Sequence, residues 1–198
     1  VVEPTYEQIN SLIREAIGDD RIPVDIRSIV KWQSNNICAQ TYSLGRVFCM
    51  GDAVHRHPPA NALGSNTCLQ DAFNLAWKLA FVVKERAHPS LLESFSAERQ
   101  PVGKQIVERA NKSMVSYLSV LDLFGAGIRE QFASDQVTEN LTTAKGHKRV
   151  REELGQQDYN VLAHGVEMTR SYESKAVMSD GTPRRANSRD PELFYEVS

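Results

Sequence analysis

The stretch 45–66, "GRVFCMGDAVHRHPPANALGSN", constrains this chain more than any other. A short apolar run at 46–50 ends in Gly51-Asp52, which reads as a strand buried on both faces. Gly51 lets the backbone turn or be approached closely. Pro58-Pro59 holds the chain extended and removes two N–H donors. Gly64 then allows close backbone approach at the start of a helix. Strand, turn, rigid extended link and helix start belong to an α/β arrangement, in which ligands gather at the carboxyl ends of strands.

From Ser65 the apolar period becomes 3.6. Leu69, Ala72, Phe73, Ala76, Ala80 and Val83 fall on one stripe, predicting a helix to about Arg86 that buries that stripe and is capped by Ser65 or Asn66. His88-Pro89 breaks the chain, and Ser90-Leu-Leu-Glu93 reads as a capping box. A second helix follows, restarted or kinked at Pro101, with Val102, Ile106, Ala110, Met114, Tyr117 and Leu121 on its apolar face. Upstream, Ile9, Leu12, Ile13, Ala16 and Ile17 predict a helix over 4–17 closed by Gly18. The alternation at 24–32, "VDIRSIVKW", predicts a strand. Residues 125–157 are polar and read as a solvated helix with flexible joints. Apolar character returns at 159–177, and 179–191 is loop-like.

Composition narrows the function classes. The 198 residues carry a formal net charge of -2 and no basic stripe interleaved with aromatics, which sets nucleic acid aside. No apolar run approaches the roughly 20 residues of a membrane span. Cys38, Cys49 and Cys68 are odd in number and irregularly spaced, which fits reduced thiols and a cytoplasmic location rather than a disulfide framework. Asn111-Lys-Ser113 and Asn140-Leu-Thr142 match a glycosylation sequon that arises often by chance.

Three chemistries compete for the stretch 45–66. His55 and His57 beside Asp52 suggest a metal, but further ligands at metal spacing are missing. Nucleophilic catalysis lacks its Gly-x-Ser-x-Gly elbow, and Ser65 is explained as a cap. A binding loop accounts for more residues. The Asp52 carboxylate can accept hydrogen bonds from a polyol, and the unpaired N–H groups of the following helix favour an anionic or electron-rich group.

These residues, in order with "LGSNT", "QDAFNLAWKLA", "SAERQPVGKQIVERANKS" and "NVLAHGVEMTRSYES", resemble the class A flavoprotein aromatic hydroxylases, in particular the phenol and 2,4-dichlorophenol 6-monooxygenase group. The resemblance implies an FAD-binding, Rossmann-like domain of the p-hydroxybenzoate hydroxylase type with long helices. Asp52, beside Gly51, would bind the ribitol hydroxyls of FAD. Pro58 and Pro59 would line the reactive side of the flavin. Leu63, Gly64, Ser65 and Asn66 would set backbone N–H groups at its N1/C2 edge, where a helix dipole steadies the charge of reduced flavin. Trp32 is a candidate for the substrate cavity. No catalytic residue is assigned, and no metal is expected.

The family often has Asn-Gly or Gly-Gly where this chain has Asn61-Ala62, and alanine limits positive φ. The Gly-x-Gly-x-x-Gly of the family's first βαβ unit does not occur here, so the resemblance implies an internal fragment with that N-terminal unit missing. Residues 1–44 would end a substrate-binding sheet region, 45–123 would form the C-terminal part of the FAD-binding domain, 124–158 a polar helical linker, and 159–198 a return segment. The implied activity is hydroxylation of phenolic aromatics through a flavin C4a-hydroperoxide, with NAD(P)H as electron donor. Expected partners are a phenolic substrate and oxygen, and a homodimer is among the expected assemblies. The alternatives are a non-catalytic interaction module of the family and a flavin oxidoreductase that does not hydroxylate. His55 and His57 are expected to stabilise the loop or adjoin the flavin, and Trp77 to lie in the core or an interface. Arg46 is expected near the cofactor or in a surface ion pair, Glu98 and Arg99 to pair along their helix, and Tyr172 to pack.

Overall fold

The computed structural model describes residues 4–19, 21–123, 134–161 and 172–181, and separates into units 1–33 and 34–198. The readings for 124–133, 162–171 and 182–198 lie outside the described residues.

In the first unit, helix α1 (Tyr6–Ile17) starts at a reciprocal cap. The Thr5 hydroxyl accepts from the Gln8 N–H, and the Gln8 side chain accepts from the Thr5 N–H. Gly18, left-handed at φ 72°, ends the helix as its position after the last apolar residue predicts. Residues 22–33 form neither helix nor strand, so the expected strand at 24–32 is not formed. Val30 and Trp32 are exposed there while Val24 and Ile26 are half-buried, and among the described residues no strand pairs with the segment to give it a ladder.

The second unit is mostly helical, with four two-residue strands in two antiparallel pairs among the described residues. β1 (Ile37–Cys38) pairs with β4 (His55–Arg56), Ile37 opposite Arg56 and Cys38 opposite His55. β2 (Ser43–Leu44) and β3 (Val47–Phe48) close a hairpin around Gly45, at φ 59°. The strand expected over 46–50 is thus real but short, and it is not buried on both faces, since Val47 is exposed and Phe48 half-buried. It pairs on one side within a hairpin, which leaves its outward residue in solvent.

Helix α2 (Leu63–Val83) corrects the sequence reading on which side faces inward. Leu69 and Phe73, from the apolar stripe, are 68% and 76% exposed, while Thr67, Asp71, Asn74 and Lys78 are buried. A polar stripe at spacings of four, three and four is the one turned onto helix α3 (Ser94–Leu123). The capping box at Ser90 is replaced by a 3₁₀ turn, Pro89–Glu93, whose Ser90 N–H donates to His88 Nδ1. α3 runs through Pro101 without a break and buries Val102, Ile106 and Ala110 as its periodicity predicts.

The core lies between these two helices and the strands. One cluster joins Tyr42, Val54, Leu75 and Phe95, with Phe48 and Leu79 packed on it. A second joins Leu63, Val102 and Ile106, with Tyr172 against it. The segment expected as one solvated helix is two, α4 (Ser134–Thr142) and α5 (Ala144–Gly155), followed by α6 (Asp158–Val161). Thr143 caps α5 through its hydroxyl. Asn140, of the second sequon, is buried and donates to the Leu123 carbonyl, so it is closed to modification in this fold.

Candidate functional site

The chain enters the loop at Gly51, buried and held at φ 62°. A Cβ there would sit 3.1 Å from the Cys68 sulfur, so both the dihedral and the space call for glycine. Gly51–Ala53 forms one 3₁₀ turn that leaves Asp52 exposed. Beneath the turn, Asp71 of α2 takes the Gly51 N–H at 3.2 Å and His55 Nε2 at 2.8 Å on one oxygen, and Arg99 Nε at 2.7 Å on the other.

This ion group is fully buried. Burial pushes the Asp71 carboxyl up, but hydrogen bonds from His55, Arg99 and Gly51, with the Arg99 charge, outweigh it and hold the group below its usual range. The Arg99 guanidinium continues to the Tyr172 hydroxyl at 2.8 Å. A second buried group lies about one to two turns further along α2. Glu98 accepts from Lys78 Nζ at 2.6 Å, from Asn74 at 2.8 Å and from the Ser174 hydroxyl at 2.7 Å. Burial raises Glu98, and its donors, Asn74, Lys78 and Ser174, more than reverse that. Burial lowers Lys78, and Glu98 only partly restores it.

Glu98 and Arg99 therefore pair across to α2 rather than along their own helix, because both are turned inward on α3. Tyr172 is more than packing, since its hydroxyl accepts from Arg99. Asp71, Asn74 and Lys78 escaped the sequence reading entirely. The available signal was polar residues recurring at 67, 71, 74 and 78, a helical stripe as regular as the apolar one.

After β4 the loop turns back. His57 Nδ1 lies 2.8 Å from the Pro58 carbonyl. Pro58 is buried and Pro59 exposed. Asn61 and Ala62 both adopt left-handed backbone, at φ 61° and 53°, so alanine occupies the positive φ that the sequence reading takes it to limit. That conformation costs a non-glycine residue about 1–2 kcal/mol. Asn61 holds its place by donating to the Asn160 carbonyl at 2.8 Å.

Ala62, not Ser65 or Asn66, is the N-cap of α2, and no side chain caps the helix. Leu63 is buried, Gly64 is half-buried beside His57, and Ser65 and Asn66 are exposed in the first turn. The first N–H groups of a 21-residue helix thus lack a side-chain acceptor at an exposed, electropositive end. With the exposed carboxylate of Asp52, this is a donor set and an acceptor suited to a ligand with an electron-rich edge and hydroxyls. An FAD isoalloxazine and ribitol meet both requirements. Trp32 belongs to the other unit and is exposed.

His55 and His57 have different partners, Asp71 and the Pro58 carbonyl, although their rings stack at 6.4 Å. Among the described residues no three His, Cys, Asp or Glu side chains converge as a metal site. Nor is any helix among them long and apolar enough to cross a membrane.

Residues 2–110 match the family model described as FAD binding domain. The chain belongs to that family. The resemblance carried by 45–66 and the helices after it is thereby borne out. Relatives in this family include 2,4-dichlorophenol 6-monooxygenases of Cupriavidus pinatubonensis (strain JMP 134 / LMG 1197), 40% identical over 94% of this chain, and of Delftia acidovorans, 43% identical over 94%. The chain spans 32% and 33% of those two proteins, about a third of their length. Among solved structures, the flavin-dependent monooxygenase PieE in complex with FAD and substrate matches 99% of this chain and 35% of its own. Its TM-score is 0.83 at 39% identity.

Proposed function

We propose that this chain is part of an FAD-dependent, NAD(P)H-using monooxygenase that hydroxylates phenolic aromatics. The observation that carries the reading is sequence identity of 40–43% to chlorophenol and phenol monooxygenases along 94% of the chain. The uncapped start of α2 and the exposed Asp52 agree with it. In this reading Asp52, next to Gly51, receives the ribitol hydroxyls. Backbone N–H groups over Leu63, Gly64, Ser65 and Asn66 face the electron-rich edge of the ring, and Pro58 and Pro59 flank its reactive side. Bound FAD supplies the electron transfer and oxygen activation, while the protein orients it and keeps water away.

Residues 45–123 serve as the C-terminal part of a Rossmann-like FAD-binding domain whose Gly-rich βαβ unit is supplied by sequence outside these 198 residues. The location is cytoplasmic and the thiols remain reduced. By itself the chain does not turn over, because it presents one part of the cofactor cradle, and its FAD affinity is weaker than about micromolar.

The test uses the complete gene product loaded with FAD. Phenols should stimulate NAD(P)H oxidation, and labelled oxygen should appear in the hydroxylated product. Absence of flavin binding, or of phenol-stimulated oxidation, overturns the proposal. Stimulated oxidation without oxygen in the product assigns a non-hydroxylating flavin oxidoreductase instead.

A further inference from the structure

We infer that Asp71 is a positioning residue for the cofactor loop, acting on bound FAD through the Gly51–Asp52 turn. The inference rests on the proposed FAD role of Asp52. Asp71 lies twenty residues beyond Gly51 and contributes nothing to the exposed surface. Its carboxylate is nevertheless the acceptor for the Gly51 N–H, at 3.2 Å. Gly51, in its left-handed conformation, opens the turn whose next residue presents the exposed Asp52 carboxylate.

The same carboxylate is fixed from two further directions. His55 approaches from β4 and Arg99 from α3, and Arg99 is itself held by Tyr172. The acceptor for Gly51 therefore cannot rotate away without breaking an ion pair in a dry interior, where such a loss is expensive. A carboxylate gripped from α3 and β4 sets the position of one backbone N–H, and that N–H sets where Asp52 stands. The neighbouring Lys78–Glu98 group has the same chemistry and the same burial but touches no part of the 51–53 turn. It is the internal control.

The experiment measures FAD affinity of the complete gene product for four variants: Asp71→Asn, Asp71→Glu, Asp52→Ala and Glu98→Gln. Asp71→Asn should weaken FAD binding by about 10- to 100-fold, the usual loss for a hydrogen bond to a charged group. Glu98→Gln removes an equivalent buried charge and should leave FAD affinity within about twofold, whatever it does to stability. Asp71→Glu keeps the charge for Arg99 but shifts the acceptor by one methylene. It should recover stability without recovering FAD affinity. On the Asp52→Ala background, Asp71→Asn should cost little further affinity, because both act through one contact.

Wild-type affinity in Asp71→Asn, equal losses in Asp71→Asn and Glu98→Gln, or additivity with Asp52→Ala overturns the inference. Failure of the wild-type protein to bind FAD overturns the proposed function instead, and this inference with it. If neither Asp71 variant folds, hydrogen exchange on the wild type decides. The Gly51 amide should be protected and should become more so with FAD bound, and unprotected exchange overturns the inference.

Discussion

The two faces of α2 invert the usual rule. One face carries Thr67, Asp71, Asn74 and Lys78 and is buried against α3. The other carries Leu69, Phe73 and Phe81 and is exposed. Polar groups pass inside when each finds a partner, and here Asp71 meets Arg99, His55 and Gly51, while Lys78 and Asn74 meet Glu98. An apolar row is left outside when nothing in the same unit covers it. The chain spans about a third of the length of its chlorophenol monooxygenase relatives. Along these two faces burial follows partner availability, not side-chain polarity.

Removing a partner from the polar face should have the largest effect. Asp71→Ala strands the Arg99 guanidinium, which is fully buried, and takes the acceptor from His55 and Gly51. The expected loss is about 3–5 kcal/mol, read from the urea midpoint. A loss under about 1 kcal/mol would mean that the buried face is held by packing alone.

Acid should act on the same face, more gradually. Asp71 and Glu98 titrate below their ordinary range in the folded chain, so the folded state binds protons less readily than the unfolded one. Their contribution is whole above the unfolded carboxylate values of about 3.9 and 4.3, and it is lost as pH falls through the lower folded values. Lys78 is depressed as well, so its charged form weighs against the fold near neutrality, and that weight is relieved as pH rises toward about 10.4. Urea midpoints from neutral to acid pH should therefore fall steeply at the acid end. Glu98→Gln should flatten that fall, and an unchanged slope would remove the ion groups from the account.

A third probe touches neither face but the turn where α2 begins. Ala62 sits at φ 53° with its side chain exposed. Ala62→Gly relieves a left-handed alanine and should raise stability by about 0.5–1 kcal/mol, the relief exceeding the entropy lost by glycine. A thermal melt checks it. Lower stability would show that Asn61, through its bond to Asn160, already carries the strain of the turn.

Local signals were legible in the sequence, and those that need a distant partner were not. Gly18, the α1 periodicity, the α3 stripe through Ala110 and the Gly51 turn depend on a few neighbouring residues, and each forms as read. The strand at 24–32 fails because alternation does not supply a partner strand, and among the described residues none pairs with it. The candidate site divides the same way. Asp52, the proline pair and the start of α2 were named from local chemistry. Asp71, Arg99 and Tyr172 were missed as a group because their contacts close across 28 and 73 residues. Hydrophobic periodicity finds the stripe on α2 but carries no information on which partner stands opposite, and a polar stripe with matched charges competes for the interior on equal terms.

The smallest effect should come from the exposed row. Phe73 is 76% exposed, so folding removes little of its apolar surface from water. Replacing it by serine forfeits little burial energy, and Phe73→Ser should move the urea midpoint by no more than about 0.5 kcal/mol. The same change should reduce binding of an apolar fluorescent dye, because Phe73 stands in a row with Leu69, Trp77 and Phe81, and Trp77 and Phe81 meet edge to face at 5.8 Å. A row of that kind is larger than scattered surface residues and should be read by the dye as one patch. Stability loss comparable to Asp71→Ala would show that the apolar row is covered in solution. The two faces would then differ in chemistry but not in burial, and partner availability would no longer separate them.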